Sequence, residues 1–288
     1  MMDWIAAQLR SMNAKQVGED NWIVQKFLKI FFGISVFLHR RFKSKQKFIV
    51  IKNFDGNLKL KIDPSRSMGA AIYWTGFHEL HEFLFLHKFL KKEMIAVDIG
   101  ANLGEYTLFM AKRLTRGKVL SFEPMRSIRD VLAENIMLNG LTNVSVIGVG
   151  LSDREHFLQI HEVDNVHEGL NTFYLGDRKS KNFQEVPLKT LDSQIELLSV
   201  NKIDFIKIDV EGSELPALKG AVNSIRKWRP YVMVEINDLT YKAAGYLKEE
   251  VGFFFKELNY TPCTLTKQGD LVTVTTLPSF GNIIYVPN

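Results

Sequence analysis

The chain has 288 residues, of which 46% are hydrophobic and 24% are charged. This composition excludes a disordered or fibrous protein and suits one globular domain with a large core. The single cysteine, Cys263, excludes an internal disulfide and favours a reducing compartment, so we predict a cytoplasmic protein. No cleavable signal peptide is indicated, because the first basic and apolar pattern starts late and lacks a cleavage site.

Positive charge is concentrated near the N-terminus. The net charge is +5, yet residues 21–54 carry eight Lys or Arg and no acid, which leaves −3 for the rest of the chain. An apolar run at 22–38 precedes a basic cluster at 40–47, but it is too short and too interrupted to predict a membrane span. Two interpretations stay open: residues 22–47 make a peripheral membrane contact, or they form a core-packing helix with a solvated basic end.

The next segments predict a β-hairpin and a helix. Residues 48–51 and 58–62 flank the turn residues Asp55 and Gly56, which is typical of a hairpin. Residues 77–92 have helical periodicity. The histidines of this helix lack the spacing of a zinc-binding helix, so we expect a solvated or capping role for them. We therefore divide the chain into a helical extension at 1–47, a lead-in at 48–92 and a main domain at 93–288.

Residues 94–107 organise the main domain. The apolar run 94–97 ends at Asp98 and predicts a buried strand. Gly100 and Gly104 allow a tight turn that brings backbone N–H groups close to a ligand. We expect the following helix, after Thr107, to direct its positive end towards that ligand.

The spacing of the glycines selects the ligand. A dinucleotide-binding loop would place glycine where this chain has Asn102, and the Gly-Lys-Ser/Thr of a Walker loop is absent. A ligand with an adenosine end and no phosphates fits better, and we predict S-adenosylmethionine. Glu123 ends the next strand, 118–123, where a carboxylate accepts hydrogen bonds from both ribose hydroxyls. The alternative is an α/β turn without a nucleotide, in which this acid is incidental.

Four sequence blocks, at 97–107, 122–124, 204–214 and 230–235, resemble FkbM-type methyltransferases, a branch of the class I S-adenosylmethionine-dependent enzymes. The resemblance covers roughly residues 70–265. It implies an α/β, Rossmann-like class I methyltransferase fold with a mostly parallel sheet and an antiparallel last strand. It also places a substrate-side acid near Glu79. The residues predicted to bind the cofactor are Asp98, Gly100, Ala101, Asn102, Gly104, Tyr106, Thr107, Glu123 and Pro124.

The third and fourth blocks supply the candidate catalytic carboxylates. Asp209 and Glu211 follow a buried strand, and Glu235 ends the next one, so all three are expected at the same sheet edge. We predict Glu211 as the base that takes a proton from the acceptor, ahead of Asp209 and Glu235. The alternative is that the three hold a divalent cation. We expect no metal, because the resemblance does not require one. Glu214 heads a helix, where an acid serves the helix dipole.

Residues 153–190 are polar, and we predict an irregular insertion that selects the acceptor. The resemblance implies O-methylation of a hydroxyl. Short polar groups in the insertion favour a glycan or glycolipid acceptor; these are Asn165, His167, Asn171 and Tyr174. One alternative is an RNA methyltransferase, suggested by the basic extension. Nucleic acid is disfavoured, because those basic residues lie beside an apolar run rather than exposed aromatics. Another alternative is a non-catalytic, membrane-associated protein that keeps the fold.

Overall fold

A computed structural model describes residues 6–11, 48–163, 172–174 and 180–288. The predicted membrane contact at 22–47 lies outside the described residues, as do Asn165, His167 and Asn171. Within the part that is described, no helix combines the length and the apolar character needed to cross a membrane.

Thirteen strands and nine longer helices are defined in the described part of the chain. The strands are β1 (Ile49–Phe54), β2 (Leu58–Ile62), β3 (Ile95–Ile99), β4 (Lys118–Phe122), β5 (Val144–Ile147), β6 (Gly150–Leu151), β7 (His156–Val163), β8 (Ser180–Lys189), β9 (Phe205–Ile208), β10 (Tyr231–Asn237), β11 (Tyr260–Leu265), β12 (Leu271–Thr273) and β13 (Phe280–Pro287). The helices are α1 (Ser67–Thr75), α2 (Leu80–Phe89), α3 (Glu105–Arg113), α4 (Arg126–Leu138), α5 (Leu191–Leu197), α6 (Glu214–Lys219), α7 (Val222–Trp228), α8 (Asp238–Ala244) and α9 (Lys248–Glu257).

Eight strands form the central sheet in the order β12-β11-β13-β10-β9-β3-β4-β5. The five strands from β10 to β5 are parallel, whereas β13 runs antiparallel to both of its neighbours. The inner strands β3, β4 and β9 are almost entirely buried, as expected for a parallel sheet covered by helices on both faces. This order and the antiparallel β13 confirm the predicted class I methyltransferase fold.

The hairpin of β1 and β2 is confirmed and packs on the main domain. Its turn places Asp55 at φ 44° and Gly56 at φ 86°. Asn135 of α4 joins the hairpin to the main domain, because its Oδ1 accepts from Lys61 N at 2.7 Å while its Nδ2 donates to Leu103 O at 2.8 Å. The apolar side chains of the hairpin share one buried cluster with α1, α2 and α3. The lead-in at 48–92 therefore helps to hold the loop after β3 in place, through its contacts with α3 and α4.

The helical residues 6–11 form a clasp on this same region. Arg10, which is 5% exposed, donates through Nε to Asn53 Oδ1 at 2.7 Å and through Nη1 to the carbonyl of Tyr73. Asn53 Nδ2 in turn donates to the carbonyl of Ala7 at 3.1 Å. The first described residues are therefore packed against β1 and α1.

Two local predictions need correction. The helix predicted after Thr107 begins at Glu105. The insertion at 153–190 is not wholly irregular, because β7 and β8 pair antiparallel within it. Alternating apolar residues, such as Leu158 and Ile160, make one face of this pair suitable for burial.

Candidate active site

A cleft opens where the parallel strands β3, β4, β9 and β10 end. Its volume is about 130 Å³, and one water needs about 10–15 Å³ on the same measure, so the cleft accommodates a ligand of many atoms. Such a position, at the carboxyl ends of the strands, is where open α/β folds bind ligands. The residues that line the cleft form two groups. We call the group around the ends of β3 and β4 the cofactor half, and the group around the ends of β9 and β10 the acceptor half.

The loop after β3 uses its amides to hold itself together. The N–H groups of Gly100 and Ala101 both donate to Phe122 O at 3.0 Å, and Gly104 N donates to Ala101 O at 2.9 Å. Asn102 N donates to Glu123 Oε2 at 3.0 Å. A phosphate-binding loop keeps such donors for its ligand. The arrangement therefore supports a ligand without phosphates. It does not support the prediction that these N–H groups face the ligand.

Position 100 requires a glycine because the end of β9 lies against it. A Cβ at this position would lie 1.9 Å from the carbonyl oxygen of Asp209, and the residue has φ 80°. Gly104 has φ 96°, and a Cβ there would lie 2.5 Å from Leu132 Cδ1 of α4. The two glycines thus bring the loop into close contact with the end of β9 and with α4.

Glu123 is a buried carboxylate held in place by the backbone. Its Oε2 accepts from Asn102 N, and its Oε1 accepts from Met125 N at 2.9 Å. Burial raises the pKa of Glu123 to about 7, although these two hydrogen bonds lower it in part. Each oxygen retains a second acceptor site, and the residue lines the cleft. Such a group is suited to accept hydrogen bonds from the two hydroxyls of a ribose.

The wall beside Glu123 is apolar and fits the flat base of an adenosine. Side chains from α4, from the segment after β5 and from the insertion form it, next to the backbone of Gly150. The lining apolar residues of this wall are Phe122, Ile128, Val149, Leu151, Ile160 and Phe173. An apolar slot for the base, next to a carboxylate that can accept hydrogen bonds from two hydroxyl groups, suits the adenosine end of S-adenosylmethionine.

The predicted cofactor residues divide into two groups. Gly100, Asn102, Glu123 and Pro124 line the cleft. Asp98, Ala101, Gly104, Tyr106 and Thr107 are not among its lining residues. Asp98 is fully buried beneath the loop, where its Oδ2 accepts from Thr107 Oγ1 at 2.6 Å. A direct contact of this second group with the cofactor stays a prediction.

Asp209, Glu211 and Glu235 converge in the acceptor half. Carboxylate oxygens of all three lie within 4.8 Å of one another, and all three residues line the cleft. Burial raises the pKa of Glu235 well above its usual range, and the nearby charges of Asp209 and Glu211 raise it further. Both effects favour the protonated form of Glu235 over its carboxylate. Glu211 adopts φ 53°, a left-handed conformation that is uncommon for a residue with a side chain.

Lys207 provides a buried positive charge beneath this cluster. Its ammonium lies 3.0 Å from Asp209 Oδ2 and 4.6 Å from the ring centre of Tyr106. Burial lowers the pKa of Lys207, but the carboxylates of Asp209 and Asp98 more than offset this and raise it above its usual range. Lys207 therefore stays charged and balances part of the negative charge of the site.

Glu79, the substrate-side candidate, reaches the cleft from the N-terminus of α2. Its Oε2 accepts from Tyr106 Oη at 2.7 Å, and its Oε1 accepts from Asn282 Nδ2 at 2.7 Å. Glu82 shares Asn282 at 3.2 Å, and burial together with the charge of Glu79 raises the pKa of Glu82 to about 7. Residues about 200 positions apart thus meet at one edge of the cleft.

Three residues of the site were not predicted from the sequence: Lys207, Asn282 and Thr172. A lysine inside the apolar run of β9 was a usable signal, because an isolated charge in a buried strand requires a partner. Thr172 Oγ1 donates to the carbonyl of Glu211 at 2.8 Å and so joins the insertion to the acceptor half. No comparable signal marked Asn282 or Thr172, since each acts through a contact between distant parts of the chain.

The Methyltransferase FkbM domain model matches residues 98–262, more than half of the chain. Methyltransferase sdnD from Sordaria araneosa is 30% identical over 154 residues, which cover 43% of this chain and 59% of that protein. Hexuronic acid methyltransferase AglP from Haloferax volcanii is 29% identical over 142 residues, covering 49% of this chain and 54% of that protein. The match thus spans less than two thirds of either relative.

Two solved methyltransferase structures match this chain at low sequence identity. Methyltransferase FkbM from Methylobacillus flagellatus is 18% identical and gives a TM-score of 0.48, covering 74% of this chain and 51% of that one. The O-methyltransferase from Bacillus cereus, solved in complex with SAH, is 17% identical with a TM-score of 0.42, covering 71% and 78%.

Proposed function

We propose that this chain, which belongs to the FkbM methyltransferase family and takes S-adenosylmethionine as its cofactor, methylates a hydroxyl group of a glycan or glycolipid. The observation that carries the proposal is the convergence of Asp209, Glu211 and Glu235 in a cleft that also has an apolar wall beside Glu123. The cofactor supplies an activated methyl group on a positively charged sulfur. The protein has to orient the acceptor, exclude water and take up the acceptor proton.

Glu211 is our proposed base. Asp209 is paired with Lys207, and burial and the nearby acids raise the pKa of Glu235 well above its usual range, which favours its protonated form. These two residues are therefore less suited to take up the acceptor proton. As the acceptor oxygen forms its bond to the methyl carbon, the bond from that carbon to sulfur breaks and its electron pair stays on sulfur. The acceptor proton passes to Glu211. This division assigns the ion pair to Asp209, the acceptor proton to Glu211 and the raised pKa to Glu235, although the three carboxyl groups lie close together.

The charge of the cleft supports a neutral acceptor. The described residues that line it include five carboxyl groups and neither lysine nor arginine. A phosphodiester backbone would be repelled by this lining, which disfavours the alternative of an RNA substrate. Hydroxyl groups instead donate hydrogen bonds to carboxylates. The relative AglP is named for a hexuronic acid, which supports a carbohydrate acceptor in general but not a neutral one.

Transfer of a labelled methyl group tests the proposal. The full chain and labelled S-adenosylmethionine are incubated with separated lipid, glycan, RNA and small-molecule fractions. We expect label in the glycan or glycolipid fraction. Label confined to RNA or to apolar small molecules would refute the carbohydrate acceptor.

Glu211→Gln tests the base. We expect kcat to fall by roughly 10²–10⁴, because the acceptor proton loses its nearby carboxylate. The affinity for S-adenosylhomocysteine, measured by calorimetry, should stay within a few-fold, since the ribose-binding Glu123 is unchanged. An unchanged kcat would assign the proton to another group.

A further inference from the structure

A buried chain of contacts joins the loop that carries Glu211 to strand β10, which carries Glu235. It starts at Glu214, the first residue of α6, whose side chain is fully buried. Its Oε1 accepts from Val210 N at 2.9 Å and its Oε2 accepts from Gly212 N at 3.0 Å. The carboxylate therefore binds the amides on both sides of Glu211. The dipole role expected from the sequence does not account for these two contacts.

Tyrosines extend the contacts to the next strand. Tyr246 Oη donates to Glu214 Oε2 at 3.2 Å, and the ring of Tyr246 packs on that of Tyr241 with centres 4.6 Å apart. Tyr241 Oη donates to the carbonyl of Glu235 at 2.5 Å. Both rings are buried. A continuous set of contacts thus connects the backbone around Glu211 with the backbone of Glu235.

The backbone at Glu211 requires such support. With φ 53°, this residue occupies a region that costs on the order of 1–3 kcal/mol for residues other than glycine, and it persists only where its surroundings impose it. The next residue, Gly212, has φ 105°, and a Cβ there would lie 2.9 Å from the carbonyl oxygen of Thr240. The Glu214 carboxylate is well placed to impose this turn, because it accepts from both adjoining amides.

We propose that Glu214 and Tyr246 are positioning residues that hold Glu211 in its left-handed conformation at a fixed distance from Glu235. This inference rests on the proposed function, in which Glu211 takes the acceptor proton. It gives Glu214, the third acid of the segment 209–214, a task separate from cofactor binding. The expected consequence is that damage to this link slows methyl transfer and leaves the cofactor half intact.

The test uses Tyr246→Phe and Glu214→Gln in the full chain. Tyr246→Phe removes one oxygen atom, whereas Glu214→Gln replaces one of the two acceptor oxygens with a donor. Tyr285→Phe is the matched control, because Tyr285 is also buried but its hydroxyl has no hydrogen-bond partner among the described residues. Each variant is examined by hydrogen exchange of the peptide 205–218, by calorimetry with S-adenosylhomocysteine and by steady-state kinetics.

We expect faster amide exchange at 210 and 212 in both test variants and no change in the control. We expect kcat to fall about tenfold for Tyr246→Phe and about 100-fold for Glu214→Gln, with KM for S-adenosylmethionine and the affinity for S-adenosylhomocysteine within threefold of the parent. Unchanged exchange in Tyr246→Phe would overturn the inference, as would a parallel loss of cofactor affinity. If the parent transfers no methyl group, the proposed function fails, and exchange alone still decides whether this link holds the turn.

Discussion

The two halves of the cleft differ in the separation of their residues along the chain. The cofactor half comes mainly from residues 100–151, and its defining hydrogen bonds, such as that from Asn102 N to Glu123, join neighbouring strand ends. The acceptor half combines Glu79, Glu211 and Glu235, and it is completed by contacts such as Asn282 with Glu79. Local loop geometry therefore specifies the cofactor half, whereas the acceptor half exists only after the whole sheet has assembled.

The largest expected effect tests whether the two halves are as separate as this comparison implies. Gly100→Ala should destabilise the protein by about 4 kcal/mol or more, because its Cβ would collide with the carbonyl of Asp209 and its φ is positive. Gly140→Ala is the matched control, since it has φ 60° with nothing within 4 Å of the added Cβ, and should cost about 1 kcal/mol. Denaturant unfolding measures both; equal values would mean that the close contact between the halves does not matter.

Glu123→Ala should weaken the cofactor half alone. We expect a loss of about 1.5–3 kcal/mol in the binding of S-adenosylhomocysteine, because hydrogen bonds to a charged acceptor are removed. Calorimetry measures the change. Glu235→Gln serves as its counterpart in the acceptor half and should change this affinity much less. An equal effect of the two would erase the distinction between the halves.

The pH dependence of binding sharpens the role of Glu123. Its pKa is about 7, and the ribose hydroxyls require the ionised form, so affinity for S-adenosylhomocysteine should fall roughly tenfold from pH 8 to pH 6. Glu123→Gln should bind weakly with little dependence on pH across this range. A flat profile in the parent protein would show that this carboxyl does not change charge on binding.

In the absence of ligand, Glu123 should make the folded protein less stable as the pH rises, whereas it makes ligand binding stronger. Its pKa is raised in the folded state from 4.5 to about 7, so the folded protein holds this proton more tightly than the unfolded chain. Its contribution to the free energy of unfolding is full below pH 4.5 and is lost as the pH rises through 7. Denaturant unfolding at pH 5 and pH 8 measures this loss in the parent and in Glu123→Gln. The free energy of unfolding should change more between the two pH values in the parent than in the variant.

The smallest expected effect concerns metal. Removal of divalent cations with a chelator should leave methyl transfer unchanged, because Lys207 already supplies a positive charge to Asp209 at 3.0 Å. Loss of activity that magnesium or calcium restores would favour the alternative in which Asp209, Glu211 and Glu235 hold a cation.

The sequence was most informative where structure is local. The loop at Gly100, the acid Glu123 and the strand carrying Asp209 were all predicted, because each depends on residues adjacent in the chain. The charge states of the three carboxyl groups were not, since these depend on Lys207 and on burial in the assembled sheet. The strands β7 and β8 were missed because their exposed face mixes polar residues with apolar ones, Phe157 and Phe183, and so obscures the alternation that marks the buried face.

The clasp at 6–11 changes how the basic, apolar segment of the chain should be studied. Arg10 and Asn53 fix residues 6–11 beside β1, so the 36 residues at 12–47 connect two points that are both attached to the same domain. A chain tethered at both ends reaches at most half of its contour, or about 60 Å. Any surface that this segment binds would therefore be held within that distance of the domain. Truncation at residue 48 would also remove the clasp, so replacement of the lysines and arginines at 40–47 is the cleaner way to ask what the segment binds.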